Sequence, residues 1–223
     1  MNRNKTLSGG RRLAAGLSLA TLAATSANAS LITGGSTEVR LDPAIAGAIT
    51  GAGVTPAATG TGILDLATLT FTFPITGGTL SDTVIPGSTI EHDGSGIIFS
   101  AGTTSLAISN FVIDTTTLGI SGGAVSTDPA TGDPLDVEEG VPLFSLSAGG
   151  TEEGFPFLVA LTDTASGALN ATFGTDLFDG GMVIGAAGTA PVVSEVPEPD
   201  SLPLLAIGLG MIGLRFMRRD RAA

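Results

Sequence analysis

The chain has 223 residues, a formal net charge of −12, 33 glycines, and no cysteine, tryptophan or tyrosine. The missing cysteine excludes a disulfide scaffold, a thiolate nucleophile and a cysteine zinc site. Ten aromatics, all Phe, argue against stacking platforms for single-stranded nucleic acid or sugar rings, and an acidic chain has no electrostatic route to nucleic-acid phosphates.

The length allows one domain of about 150 residues plus processed ends. A mean hydropathy of +0.45 is inflated by Ala, Gly and two terminal segments. Charge is placed unevenly. Four bases lie in residues 1–12 and four in residues 215–221, whereas between Ser30 and Pro199 the one base, Arg40, faces 19 acids. That stretch carries −18 and no lysine at all, so cations are its natural small partners and anionic surfaces are not.

In chain order, residues 1–29 read as a signal peptide. A basic start ends at Arg12, Leu13 to Ala24 is apolar, and Ala27-Asn28-Ala29 supplies the small residues signal peptidase requires, with cleavage after Ala29. The residues after Arg11-Arg12 fit a twin-arginine signal poorly, so the general secretory route is expected.

Residues 30–186 read as one all-β ectodomain, sandwich- or barrel-like, with one or two short helices. Short apolar or alternating runs recur every 8–12 residues or so, as in sandwiches and barrels. They are Ile63–Leu66, Leu69–Phe73, Ser88–Glu91, Gly96–Ser100, Ser105–Ser109, Phe111–Asp114, Val141–Leu146, Phe157–Thr162 and Met182–Ala186. Thr76-Gly77-Gly78, Asp93-Gly94 and Gly122-Gly123 read as turns between them. In Leu69-Thr-Phe71-Thr-Phe73 the apolar side chains share one face. Asp42-Pro43 makes an N-cap and first-turn pair for a helix Ala44–Ile49 that stops at Gly51. Asp163 is expected to cap Ala165–Phe173. Residues 187–195 read as a linker.

Within this domain the order Gly-Ser-Thr-Ile-Glu-His-Asp-Gly-Ser-Gly-Ile-Ile-Phe, then Leu-Ala-Ile-Ser-Asn-Phe-Val-Ile-Asp, over Gly87–Thr116, resembles the strand pattern of the haem-uptake surface domains called HtaA. Those domains use a tyrosine as haem ligand and this chain has none, so the resemblance implies fold only.

Candidate chemistry is sparse. His92, between Glu91 and Asp93, reads as a surface histidine, since a transition-metal site needs more than one His without Cys. Gly119-Ile120-Ser121-Gly122-Gly123 matches the nucleophile-elbow spacing, but strand and turn follow it where that motif requires a helix. Asp128, Asp133, Asp136, Glu138 and Glu139 fall within twelve residues on what reads as a flexible loop, a speculative calcium site; solvated charge is the simpler reading. Glu138/Glu139 and Glu152/Glu153 as glycosidase acids would need a cleft that sequence does not show. The threonine rows Thr68/Thr70/Thr72 and Thr115–Thr117 read as polar strand faces. No catalytic residue and no cofactor is expected beyond possible calcium.

The C-terminal segment is the most specific. It runs Val196-Pro197-Glu198-Pro199, a short spacer, 13 uncharged residues from Leu202 to Leu214, then Arg215, Arg218, Arg219 and Arg221. At ~1.5 Å per residue the apolar run reaches roughly 20 Å, short of the roughly 30 Å hydrocarbon core. Snorkelling by Arg215 extends it, and the arginines hold the end on the cytoplasmic side. Residues 196–221 resemble the PEP-CTERM protein-sorting signal of Gram-negative bacteria. The resemblance implies that Val196–Pro199 is the recognition motif, that Arg215, Arg218, Arg219 and Arg221 form the retention signal, and that an exosortase cuts near the motif. It further implies an inner-membrane intermediate, a final place at the cell surface or outside the cell, and a link to exopolysaccharide or biofilm. Expected partners are signal peptidase, exosortase and exopolysaccharide, and not nucleic acid. The expected function is a non-enzymatic structural or adhesive role; a ligand-binding module for calcium, glycan or ice is the alternative, and a matrix hydrolase the third reading.

Overall fold

The computed structural model describes residues 29–81, 87–127, 130–131 and 133–194. Its elements are β1 (Ser30–Leu41), α1 (Pro43–Gly51), β2 (Thr55–Gly60), β3 (Ile63–Asp65), β4 (Thr70–Pro74), β5 (Gly77–Leu80), β6 (Thr89–Ala101), β7 (Thr104–Asp114), β8 (Gly119–Thr127), β9 (Pro134–Glu152), β10 (Phe155–Leu161), α2 (Asp163–Phe173) and β11 (Val183–Ser194). The fold is all-β, as its alternation implies.

From β5 to β11 each strand of this antiparallel sheet pairs with the next in sequence, and β11 then pairs along the whole of β1. Because Ser30 and Leu31 also pair with Leu80 and Thr79 of β5, the ladder returns to its start and the sheet is a closed barrel. Closure removes the open edges of the barrel strands themselves, while β2 and β3, each paired on one side only, keep theirs. Higher up, β1 carries β4 and β3, and β6 carries β2. Both helices sit at the end away from the chain termini, α1 directly after β1 and α2 between β10 and β11.

Local chemistry explains several elements. Asp42 caps α1 through its carboxylate, which accepts from Ala44 N at 2.7 Å, with Pro43 in the first turn. The cap of α2 is Thr162 and not Asp163: its hydroxyl accepts from Ala165 N and donates to Pro142 O, tying the helix to β9. Phe71 and Phe73 point inward and stack with centroids 6.0 Å apart, while Phe73 meets Phe111 edge-on at 5.1 Å. They anchor a core joined by Ile90, Ile97, Ile108, Leu143, Val159 and Leu161.

Several sequence expectations are corrected. The runs 88–91 and 96–100 are one strand, β6, broken only by a register shift between His92 and Gly96 at the Asp93-Gly94 step. Gly122-Gly123 is not a turn but lies inside β8. There a Cβ on Gly122 would stand 2.6 Å from Ser109 O, so glycine lets β7 and β8 approach. Residues 187–194 are not a linker; they are most of β11, hydrogen-bonded to β1 and in part to β10.

Candidate functional site

Two polar constellations and one end of the barrel stand out. Inside the barrel, His92 is buried with 1 % exposure, contrary to the surface position expected from its acidic neighbours. Alternation had carried the signal, because Ile90 and His92 share the inward face. Nδ1 lies 3.2 Å from Phe111 O, an acceptor only, so Nδ1 bears the proton. Nε2 faces Thr37 Oγ1 at 2.8 Å, and Thr37 Oγ1 lies 3.0 Å from Thr189 Oγ1. Burial lowers the His92 pKa below 6.5, outweighing the bond to Phe111 and the charge of Asp93, which raise it. The imidazole ties β6 to β7 and β1. The void beside it, bounded by Phe73, Phe111 and Phe144, measures about 40 Å³.

On the outer wall, Arg40 gathers a clamp. Its guanidinium pairs with Glu152 through Nη1 and lies 4.4 Å from the ring centre of Phe155. Phe155 is 5 % exposed yet lies outside the main core, so the tip of the β9–β10 hairpin buries it against the barrel wall. The tip presses so closely on β11 that a Cβ on Gly188 would stand 1.7 Å from Gly154 O. Beside the clamp runs a groove of about 500 Å³, with Arg40, Asp42, Thr68 and Glu152 around Leu158, Val183 and Ala186. Replacing Gly188 by Ala is expected to lift the tip and cost ~1–3 kcal/mol through overpacking. Hydrogen exchange should then rise selectively over residues 150–156, and unchanged exchange there would contradict the clamp. Arg40→Ala is expected to cost less, about 0.5–1 kcal/mol, because an exposed ion pair and a half-exposed cation–π contact are each weak.

Among the described residues, the sequence-predicted site residues are not brought together. Asp133, Glu138 and Glu139 are exposed, and Asp136, Glu138 and Glu139 belong to strand β9 instead of a loop. Asp128 lies outside the described residues, and among the described residues no three metal-ligating side chains converge. Ser121 is in mid-strand, so the nucleophile-elbow geometry is not met. Thr70 is buried beside Arg40, while Thr115, just after β7, bonds to Ser88, just before β6. Ala29 is exposed immediately before β1. Ala27, Val196, Pro197, Glu198, Pro199, Arg215, Arg218, Arg219 and Arg221 lie outside the described residues. Among the described residues no helix is long and apolar enough to cross a membrane.

What the geometry does show is where the two processed ends would be. Leu31, next to the expected cut after Ala29, pairs with Ser194, the last residue of β11. Residues 195–222, which follow at once, match the model of the PEP-CTERM protein-sorting motif. The chain carries the sorting signal of an exported, exosortase-targeted protein. That signal implies passage through the secretory route and membrane-associated sorting to the cell surface. No curated protein sequence matches the chain. Among solved structures, the C-terminal domain of HtaA from Corynebacterium glutamicum is similar over 75 % of this chain and 100 % of its own length, with TM-score 0.54 and 17 % identity. The N-terminal domain of the same protein is similar at TM-score 0.49 and 12 % identity, over 73 % of this chain and 99 % of its own. The heme-binding protein HtaB of that organism follows at TM-score 0.46 and 11 % identity, covering 76 % and 100 %. The first of these establishes a shared fold. The side chains do not fit a haem: tyrosine and cysteine are absent, and the single histidine has both ring nitrogens engaged beside a void of about 40 Å³.

Proposed function

We propose that residues 30–194 form a non-catalytic structural or adhesive module of the extracellular polysaccharide matrix of a Gram-negative cell. Signal peptidase releases its N-terminus and exosortase processes its C-terminus after an inner-membrane intermediate. The observation that carries this reading is continuity: the sorting motif begins at residue 195, one residue after the last barrel strand, so the two addresses bracket one closed barrel. Two features support the matrix role. The acidic surface keeps the module soluble and can bridge to acidic glycans through divalent cations. The groove beside Arg40 combines hydroxyl, carboxylate and guanidinium groups with an apolar floor, the mix that holds a sugar ring.

Substituting Ala for Pro197, Glu198 and Pro199 together is expected to leave the full-length chain in the membrane fraction. Release at the normal rate from such a variant would overturn the sorting assignment. Separately, the mature barrel is expected to sediment with cell-free matrix polysaccharide, and less so after chelation of calcium. Failure to sediment with and without calcium would remove the matrix role while leaving export untouched.

A further inference from the structure

We infer that the terminal end of the barrel docks on the lipid surface while the C-terminal segment still holds the chain in the membrane, an inference that rests on the inner-membrane intermediate proposed above. Both chain ends leave from this one end, since Ser30 pairs with Leu80 and Leu31 with Ser194. Seven residues, 195–201, separate Ser194 from Leu202, where the apolar run begins. Fully extended at ~3.3–3.6 Å per residue they span roughly 25 Å, so the barrel end is held close to the headgroups and any shorter path brings it into contact.

The surface it presents there carries an apolar patch. Leu31 and Val192 are 54 % and 57 % exposed, and their pairing makes them diagonal neighbours on the outer wall. Val193, 38 % exposed, stands beside Ile32 at the mouth. Acids crowd the opposite end: Asp42 caps α1, Asp163 opens α2, and Asp176 and Asp179 follow it. Towards the terminal side lie Asp114 in the β7–β8 turn, Glu91, and Glu152 and Glu153 at the β9–β10 tip, whose turn opens on the same side. Small apolar side chains at such a rim enter the interface without spanning it.

The test uses the chain from Ser30 to Ala223 reconstituted in phosphatidylcholine vesicles. Its own sequence has no tryptophan, so one is introduced as Val192→Trp, Leu31→Trp or, at the other end, Val137→Trp, a position 60 % exposed. With brominated lipid, Val192→Trp and Leu31→Trp are expected to lose at least half their emission and to shift to the blue, while Val137→Trp keeps its emission. Equal, weak quenching at all three positions overturns the inference while the protein remains in the vesicle fraction. A concentration-dependent blue shift without quenching also overturns it, in favour of a second copy on the patch. Failure of the chain to enter the vesicle fraction is a different result, and it removes the anchored intermediate itself.

Discussion

A chain stopped after Ala186 is expected not to fold, whereas one stopped after Ser194 is expected to fold as well as the mature protein. The shorter chain retains Val183 to Ala186, but it loses the partners of β1 from Leu31 through Val39. Every backbone group of that stretch of β1 facing β11 is then unpaired along an open seam. Each lost hydrogen bond is worth ~0.5–1.5 kcal/mol net, and burial of Ala187 against the core goes with them. Several such bonds together reach the 5–15 kcal/mol or so that a domain has in total. The opened barrel also exposes two strand edges, so aggregation should accompany the loss. Circular dichroism and gel filtration of the two truncations decide the matter. A folded, monomeric chain ending at Ala186 would mean that residues 187–194 are the linker their composition resembles, and that closure through β11 is dispensable.

That contrast marks where sequence reading works and where it stops. Leu69 to Phe73 alternates large apolar and hydroxyl side chains, and two-residue periodicity reports a half-buried strand directly. Asp42-Pro43 encodes a helix start in two residues, and the cap forms. Strand β8 and most of β11 were hidden because their buried positions are largely Gly and Ala, which give no hydrophobic contrast, and β1 buries Ile32 and Leu41 but separates them with two glycines and Thr37. Their identity is set by neighbours: Gly122 is small because Ser109 O approaches, and Gly188 because Gly154 O does. Such approaches join residues far apart in sequence and leave no local pattern. The Arg40 clamp is the extreme case, with an ion pair that spans 112 residues. The lone base in an acidic domain was visible, but its partners were not. The sorting signal is legible for the opposite reason, since a receptor-read address is local by nature. The strand order over Gly87–Thr116 lies between these extremes. It was enough to point to the HtaA fold, which the structural likeness bears out, and it identified no ligand.

The buried imidazole supplies the second large effect. His92→Leu keeps most of the volume but leaves Phe111 O without a donor inside the barrel, and an orphaned buried carbonyl costs ~1–3 kcal/mol. Thr37 loses its acceptor and keeps only Thr189. The sign of the pH effect follows from linkage. In the unfolded chain the histidine titrates at its ordinary value of 6.5, whereas burial holds the folded value lower. Above 6.5 both states are neutral and this group's contribution to stability is fully present. As pH falls below it, the unfolded chain takes up a proton that the folded barrel resists, so the contribution is lost progressively towards the folded value. Asp65 and Asp114 act in a separate, lower window. Backbone amides of Ala67 and Thr116 hold their carboxylates below 3.8, so their stabilisation fades only in stronger acid. Thermal melts between about pH 7 and pH 5 therefore isolate the histidine. The wild-type melting temperature is expected to drop across that range. His92→Gln, whose amide can donate to Phe111 O and accept from Thr37, should melt at nearly constant temperature. A wild-type curve that stays flat to about pH 5, or a Gln variant that falls in parallel with it, would show that the ring accepts a proton without cost and is not held neutral by its burial.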